Sequence, residues 1–85
     1  MAEGAFANAF SQGKGLMLAS KNSSSINSFV VQNHAYLVVG YDAATKQYLL
    51  YNPWGWNAGN TDPTYIRETW AQIRHDFSYW TSATA

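Results

Sequence analysis

Two side chains in the middle of the sequence have the types and the spacing for acid–base chemistry. His34 heads the apolar run HAYLVVGY, and Asn52 stands at the foot of the next one, QYLLYN. An imidazole works as a base only when one tautomer is held and the ring is aimed. A carboxamide oxygen accepting from a ring N–H does both, which is the orienting job of the third member of a Cys-His-Asn triad. Such a pair needs a nucleophile, and the chain contains no cysteine. None of its serines sits in a Gly-x-Ser-x-Gly frame. Ser20 and the Ser23, Ser24, Ser25 run are the hydroxyls that could approach His34, which makes a serine hydrolase a poor fit.

The elements around the pair must bring it together. Residues 34–41 and 47–51 read as two strands, joined by a turn in which Asp42 and Thr45 are the turn formers. Antiparallel pairing of that hairpin puts His34 and Asn52 at one end. Pro53 stops the second strand, since it cannot donate to a ladder. Before the hairpin, Phe6 and Phe10 lie four apart on one face of a helix over residues 2–10. Gly13 and Gly15 end that helix, residues 16–20 form a short buried strand, and residues 21–28 are a polar loop. Residues 29–31 lead into the hairpin. After it, residues 65–68 read as a third strand. Thr69 with Gln72 is a capping-box pattern for a helix over residues 70–75, with Trp70 and Ile73 on one face. FSYWTS alternates as a last strand. Tyr36, Tyr41, Tyr48 and Tyr51 read as cross-strand pairs. The expectation is one domain over residues 1–85, of α+β class and mainly antiparallel: a small barrel or sheet with short helices.

HAY before an apolar strand, a hairpin, and then NPWG resembles the calpain-type branch of the papain-like cysteine peptidases. The wider papain group reads Asn-Ser-Trp-Gly where this chain has Pro53. GKGLMLAS upstream and TYIRETWAQIRHDF downstream are similar to segments flanking that hairpin in the family, so the resemblance spans roughly residues 5 to 80. It implies half of a papain-like fold, the C-terminal β-rich lobe. It also implies that His34 is the general base, Asn52 its orienter, and Trp54 the cover that keeps water off their bond. Asn33 departs from the family, where Gly usually precedes HAY. The catalytic Cys and the Gln that donates to the oxyanion belong to the other lobe, which is a separate chain, lost, or cut away. These residues are not competent for thiol proteolysis alone.

Two other readings stand beside it. One is an inactive remnant or interaction module. The other is a repurposed oligomeric hydrolase of esters or phosphoesters, in which His34 holds a divalent transition metal and an open coordination position activates water. His75 and Asp76 are the further candidate ligands, with Asp42, Asp62 and Glu68 behind them, although none shows ligand spacing. The resemblance itself requires no cofactor.

Bulk composition bears on partners. Five basic residues balance five acidic ones, so the charge balance carries no nucleic-acid or anionic-membrane signal. No targeting or membrane-spanning run is visible, and a cytoplasmic protein is the default. The Asn22-Ser23-Ser24 sequon reads as coincidence. Charged residues make up 12% of the chain and aromatics 16%. A small domain so composed leaves apolar surface uncovered. A homo-oligomer is therefore expected, or a complex with a Cys-bearing lobe.

Overall fold

In a computed structural model, described for residues 1–53 and 63–83, two helices and five strands follow in the order α1 (Glu3–Ser11), β1 (Gly15–Ser20), β2 (Ala35–Asp42), β3 (Gln47–Tyr51), β4 (Tyr65–Thr69), α2 (Trp70–Asp76) and β5 (Phe77–Ala83). All the strand pairings are antiparallel, in the spatial order β4-β3-β2-β1-β5. Of the two forms left open by the sequence, barrel or sheet, the described strands make an open sheet, with β4 and β5 at opposite edges.

Alternation decides which face is covered. Leu16 and Leu18 of β1, Tyr36 of β2, Tyr48 and Leu50 of β3 and Ile66 of β4 are buried together with Phe6 and Ala9 of α1 and Ile73 of α2. Both helices therefore pack on one side of the sheet. The intervening residues Met17, Leu37, Val39 and Tyr65 are exposed on the other. Phe6 is the hub of the covered side: its ring contacts Tyr48, Trp70 and Trp80 at centroid distances of 5.0, 4.9 and 5.5 Å. Phe10, one turn on, meets Tyr48 edge-on at 6.0 Å. Fully burying a side chain of the Leu18 or Leu50 type contributes about 1.5–3 kcal/mol.

Local chemistry sets the turns and ends. Asp42 Oδ1 accepts from the Ala44 backbone N–H at 2.9 Å, closing the β2–β3 turn. Lys46 completes it in the left-handed region, at φ 56°. The capping box of α2 is complete: Gln72 N–H donates to Thr69 Oγ1 at 3.3 Å, and Thr69 N–H donates to Gln72 Oε1 at 2.8 Å. Three of the four tyrosines expected in cross-strand pairs are so placed. Tyr41 faces Tyr48 across β2–β3 at 4.6 Å, and Tyr51 meets Tyr65 of β4 at 5.3 Å. Tyr36 is instead fully buried and packs edge-on against Phe77 at 5.6 Å. Residues 29–31 do not extend β2; they belong to the long connection from β1, which sends Ile26 and Val30 into the core. No helix among the described residues is long and apolar enough to cross a membrane.

Candidate active site

The β2–β3 register places Leu37 opposite Tyr51. Continuing it brings the residue after Tyr51 alongside the start of β2. There His34 Nε2 and Asn52 Oδ1 lie 2.8 Å apart. An amide oxygen only accepts, so the imidazole must carry its proton on Nε2. That tautomer leaves the lone pair on Nδ1, the form a general base requires.

Each member is fixed from behind. Asn52 is fully buried, and its backbone N–H donates to Thr64 O at 2.8 Å, at the entry to β4. His34 is clamped by Ser20 at the end of β1. His34 N–H donates to Ser20 Oγ at 2.8 Å, while His34 O accepts from Ser20 N–H at 2.8 Å and lies 2.9 Å from Ser20 Oγ. That hydroxyl also reaches Val31 O at 2.6 Å. Ser20, considered from sequence as a nucleophile, therefore serves the His34 backbone rather than its ring. Ser23 and Ser25 bond to each other on the surface, at 2.7 Å. Tyr36 supports the imidazole edge-on at 5.3 Å and accepts from Val31 N–H through its hydroxyl at 2.9 Å. Asn33 has a φ of 50°. Asn is among the few side chains that adopt this left-handed geometry readily, so it can stand where a glycine would serve. Beside His34 a cleft of about 390 Å³ is lined by Met17, Ser20, Asn33 and Tyr79 among others.

A second polar cluster anchors the connection that delivers His34. Glu68 and Asp76 are both fully buried. Asp76 accepts from Asn27 N–H at 3.2 Å, from Asn27 Nδ2 at 2.7 Å and from His75 Nδ1 at 2.6 Å. Its backbone carbonyl accepts from Lys21 N–H at 2.9 Å, and Lys21 O accepts from Asn33 N–H at 3.2 Å. Burial, then the neighbouring Asp76, pushes the Glu68 carboxyl up to about 9, so Glu68 is a neutral acid at neutral pH. Burial also pushes Asp76 upward, but hydrogen bonding to Glu68, Asn27 and His75 outweighs it and holds Asp76 at about 2. One proton is thus kept on Glu68, beside an ionised Asp76.

His34 and Asn52 are brought together, and the other candidates are not added to them. The carboxylate of Asp76 is buried and engaged with Asn27 and His75, whereas the side chain of His75 is 56% exposed. Asp42 pairs with Arg67 at 3.9 Å. Among the described residues no group of three or more His, Cys, Asp or Glu is placed to hold a metal ion. The expected cover Trp54 and the candidate ligand Asp62 lie outside the described residues. Sequence reasoning missed Ser20 as a clamp and Asn27 as the partner of Asp76. The one signal was for Ser20, a polar residue ending an otherwise apolar strand; Asn27 stands in the β1–β2 connection with none. Comparison of the chain with protein-family models, with curated proteins and with solved structures returns no match.

Proposed function

We propose that this chain is the His/Asn half of a calpain-type thiol hydrolase site, equivalent to the C-terminal lobe of a papain-like fold, with the thiol supplied by a Cys-bearing lobe. The observation that carries the reading is the 2.8 Å bond from His34 Nε2 to Asn52 Oδ1, formed at the shared end of the hairpin between the first residue of HAY and the first of NPWG. In the assembled site His34 Nδ1 takes the proton of the thiol, the thiolate attacks the carbonyl carbon of a peptide, and the imidazolium returns the proton to the leaving amine. Asn52 holds the ring in the plane those transfers need. The resemblance assigns the shielding of the pair from water to Trp54, which lies outside the described residues. The metal-dependent alternative has no comparable geometric support among the described residues.

The test is complementation. Mixed with the Cys-bearing lobe of a calpain-type peptidase, the chain is expected to restore cleavage of a fluorogenic peptide that is blocked by thiol alkylation and indifferent to chelators. His34→Ala should abolish it. Asn52→Ala should lower it by about 10- to 100-fold, as loss of an orienting partner does. Absence of cleavage with the wild-type chain, or activity that a chelator quenches, would refute the reading.

A further inference from the structure

His34 is delivered to Asn52 by the connection between β1 and β2, and the composition of that connection does not hold it in place. KNSSSINSFVVQNH is mostly polar, and its buried apolar anchors are Ile26 and Val30. Fixing the backbone of so polar a segment costs conformational entropy that two apolar side chains do not offset. Hydrogen bonds supply the rest, and three of them end on Asp76. Its carbonyl accepts from Lys21 N–H at 2.9 Å, at the near end of the connection. Its carboxylate accepts from Asn27 N–H at 3.2 Å on Oδ1 and from Asn27 Nδ2 at 2.7 Å on Oδ2, at the middle. Asp76 is itself immobilised. It is fully buried and ends α2, whose Ile73 is in the core, and it precedes Phe77, which packs on Tyr36 at 5.6 Å.

We infer that Asp76 is a positioning residue for His34: the two bonds from Asn27 to its carboxylate set where the connection presents the imidazole to Asn52. A carboxylate accepts on both oxygens, and Asn27 offers one main-chain and one side-chain donor, so the fork fixes position and angle together. From Asn27 a path of contacts runs to the ring. Asn27 O accepts from Val30 N–H at 3.0 Å, closing a turn. The next residue, Val31, donates its N–H to the Tyr36 hydroxyl at 2.9 Å and accepts from the Ser20 hydroxyl at 2.6 Å. Those are the two side chains that hold His34: Tyr36 stands edge-on to the imidazole at 5.3 Å, and Ser20 Oγ accepts from His34 N–H at 2.8 Å. A shift of the turn at Asn27 therefore moves Val31, and with it both supports of His34. An anchor that served stability alone would need no such path. Support of this kind, from a rigid element behind the reacting group, is what keeps a site in productive geometry.

The weight of this role for catalysis rests on the thiol-hydrolase reading, but its experiment is made on the chain alone and reads the ring rather than cleavage, so the two fail separately. Asn27→Asp sets a carboxylate against that of Asp76 and breaks the fork. Exchange of the Val31 and Asn33 amides should then quicken at least about tenfold relative to the amides of the β3–β4 ladder, the loss of a hydrogen bond to a charged group. Nitrogen-15 spectra should show the His34 ring passing from the Nε2–H tautomer to a mixture. Adding Asp76→Asn puts an amide donor opposite the new carboxylate and rebuilds the fork with its polarity reversed. The double substitution should return the ring to the Nε2–H tautomer and the two amides to within about threefold of wild type, the coupling expected of groups in direct contact. Asn27→Ala, which removes the side-chain donor without adding a charge, is read if Asn27→Asp alters the far-ultraviolet circular dichroism. An unchanged ring and unchanged relative exchange in the Asn27 variant overturn the inference. So does a double variant as disturbed as Asn27→Asp alone. The wild-type chain carries its own check: the amides of Asn27, Val31 and Asn33 should open as one unit, with protection equal to within about threefold, and protection spread over several decades would show that the fork does not govern the approach to His34.

Discussion

At the scale of single residues, the imidazole of His34 is defined by what holds it. Its Nε2–H points at Asn52 Oδ1, and its backbone is clamped on both sides by Ser20. Nitrogen-15 correlation spectra of the ring should show the Nε2–H tautomer in the wild type and a mixture of tautomers in Asn52→Ala. A wild-type ring protonated on Nδ1 would contradict the arrangement. Ser20→Ala removes the acceptor of His34 N–H and the hydroxyl reaching Val31 O inside a nearly closed environment. Disturbing buried hydrogen bonds of this sort costs about 1–3 kcal/mol, which denaturant titration should report.

At the scale of elements, the approach to β2 turns on one backbone geometry. Asn33 sits at φ 50°, where a β-branched side chain clashes with its own carbonyl. Asn33→Val should therefore destabilise the protein by about 1–2 kcal/mol, whereas Asn33→Gly should be nearly neutral. Equal midpoints for the two variants in urea would show that the connection tolerates another path. The fold supplied by α2 is of a similar local kind: its capping box couples Thr69 to Gln72 in both directions.

At the scale of the whole molecule, Glu68 and Asp76 tie β4, α2 and the β1–β2 connection into one unit, and their protonation makes stability depend on pH. The folded state raises Glu68 from 4.5 to about 9. Its stabilising contribution is complete below about pH 4.5 and is lost as pH climbs toward 9, because the unfolded chain gives up that proton more readily. Asp76 runs the other way: lowered from 3.8 to about 2, it stabilises above about pH 3.8 and loses that effect as pH falls toward 2. The pair alone therefore favours mildly acidic solution. Thermal unfolding of wild type should show a midpoint that declines on the alkaline side, and Glu68→Gln, which keeps the shape without the proton, should flatten that decline. Parallel curves for the two proteins would count against a neutral Glu68.

The residues that alternate in the sequence alternate in the sheet, and the hairpin, the capping box and the meeting of His34 with Asn52 follow from contacts that are near in sequence: 18 residues separate that pair, across one turn specified by Asp42. Such features are legible because strand period and turn chemistry are local. Barrel or open sheet, the clamp by Ser20, and the fate of Glu68 were decided only by tertiary structure. Position 68 keeps step with buried Ile66, yet a carboxyl is expected in water, and nothing nearby in sequence says otherwise. It goes inside as a neutral acid because burial, and then Asp76 alongside it, disfavours its charge, Asp76 itself being held by Asn27 from 49 residues away. The cost of burying a charge depends on partners brought by the fold, and that is where the reading of a one-dimensional pattern ends.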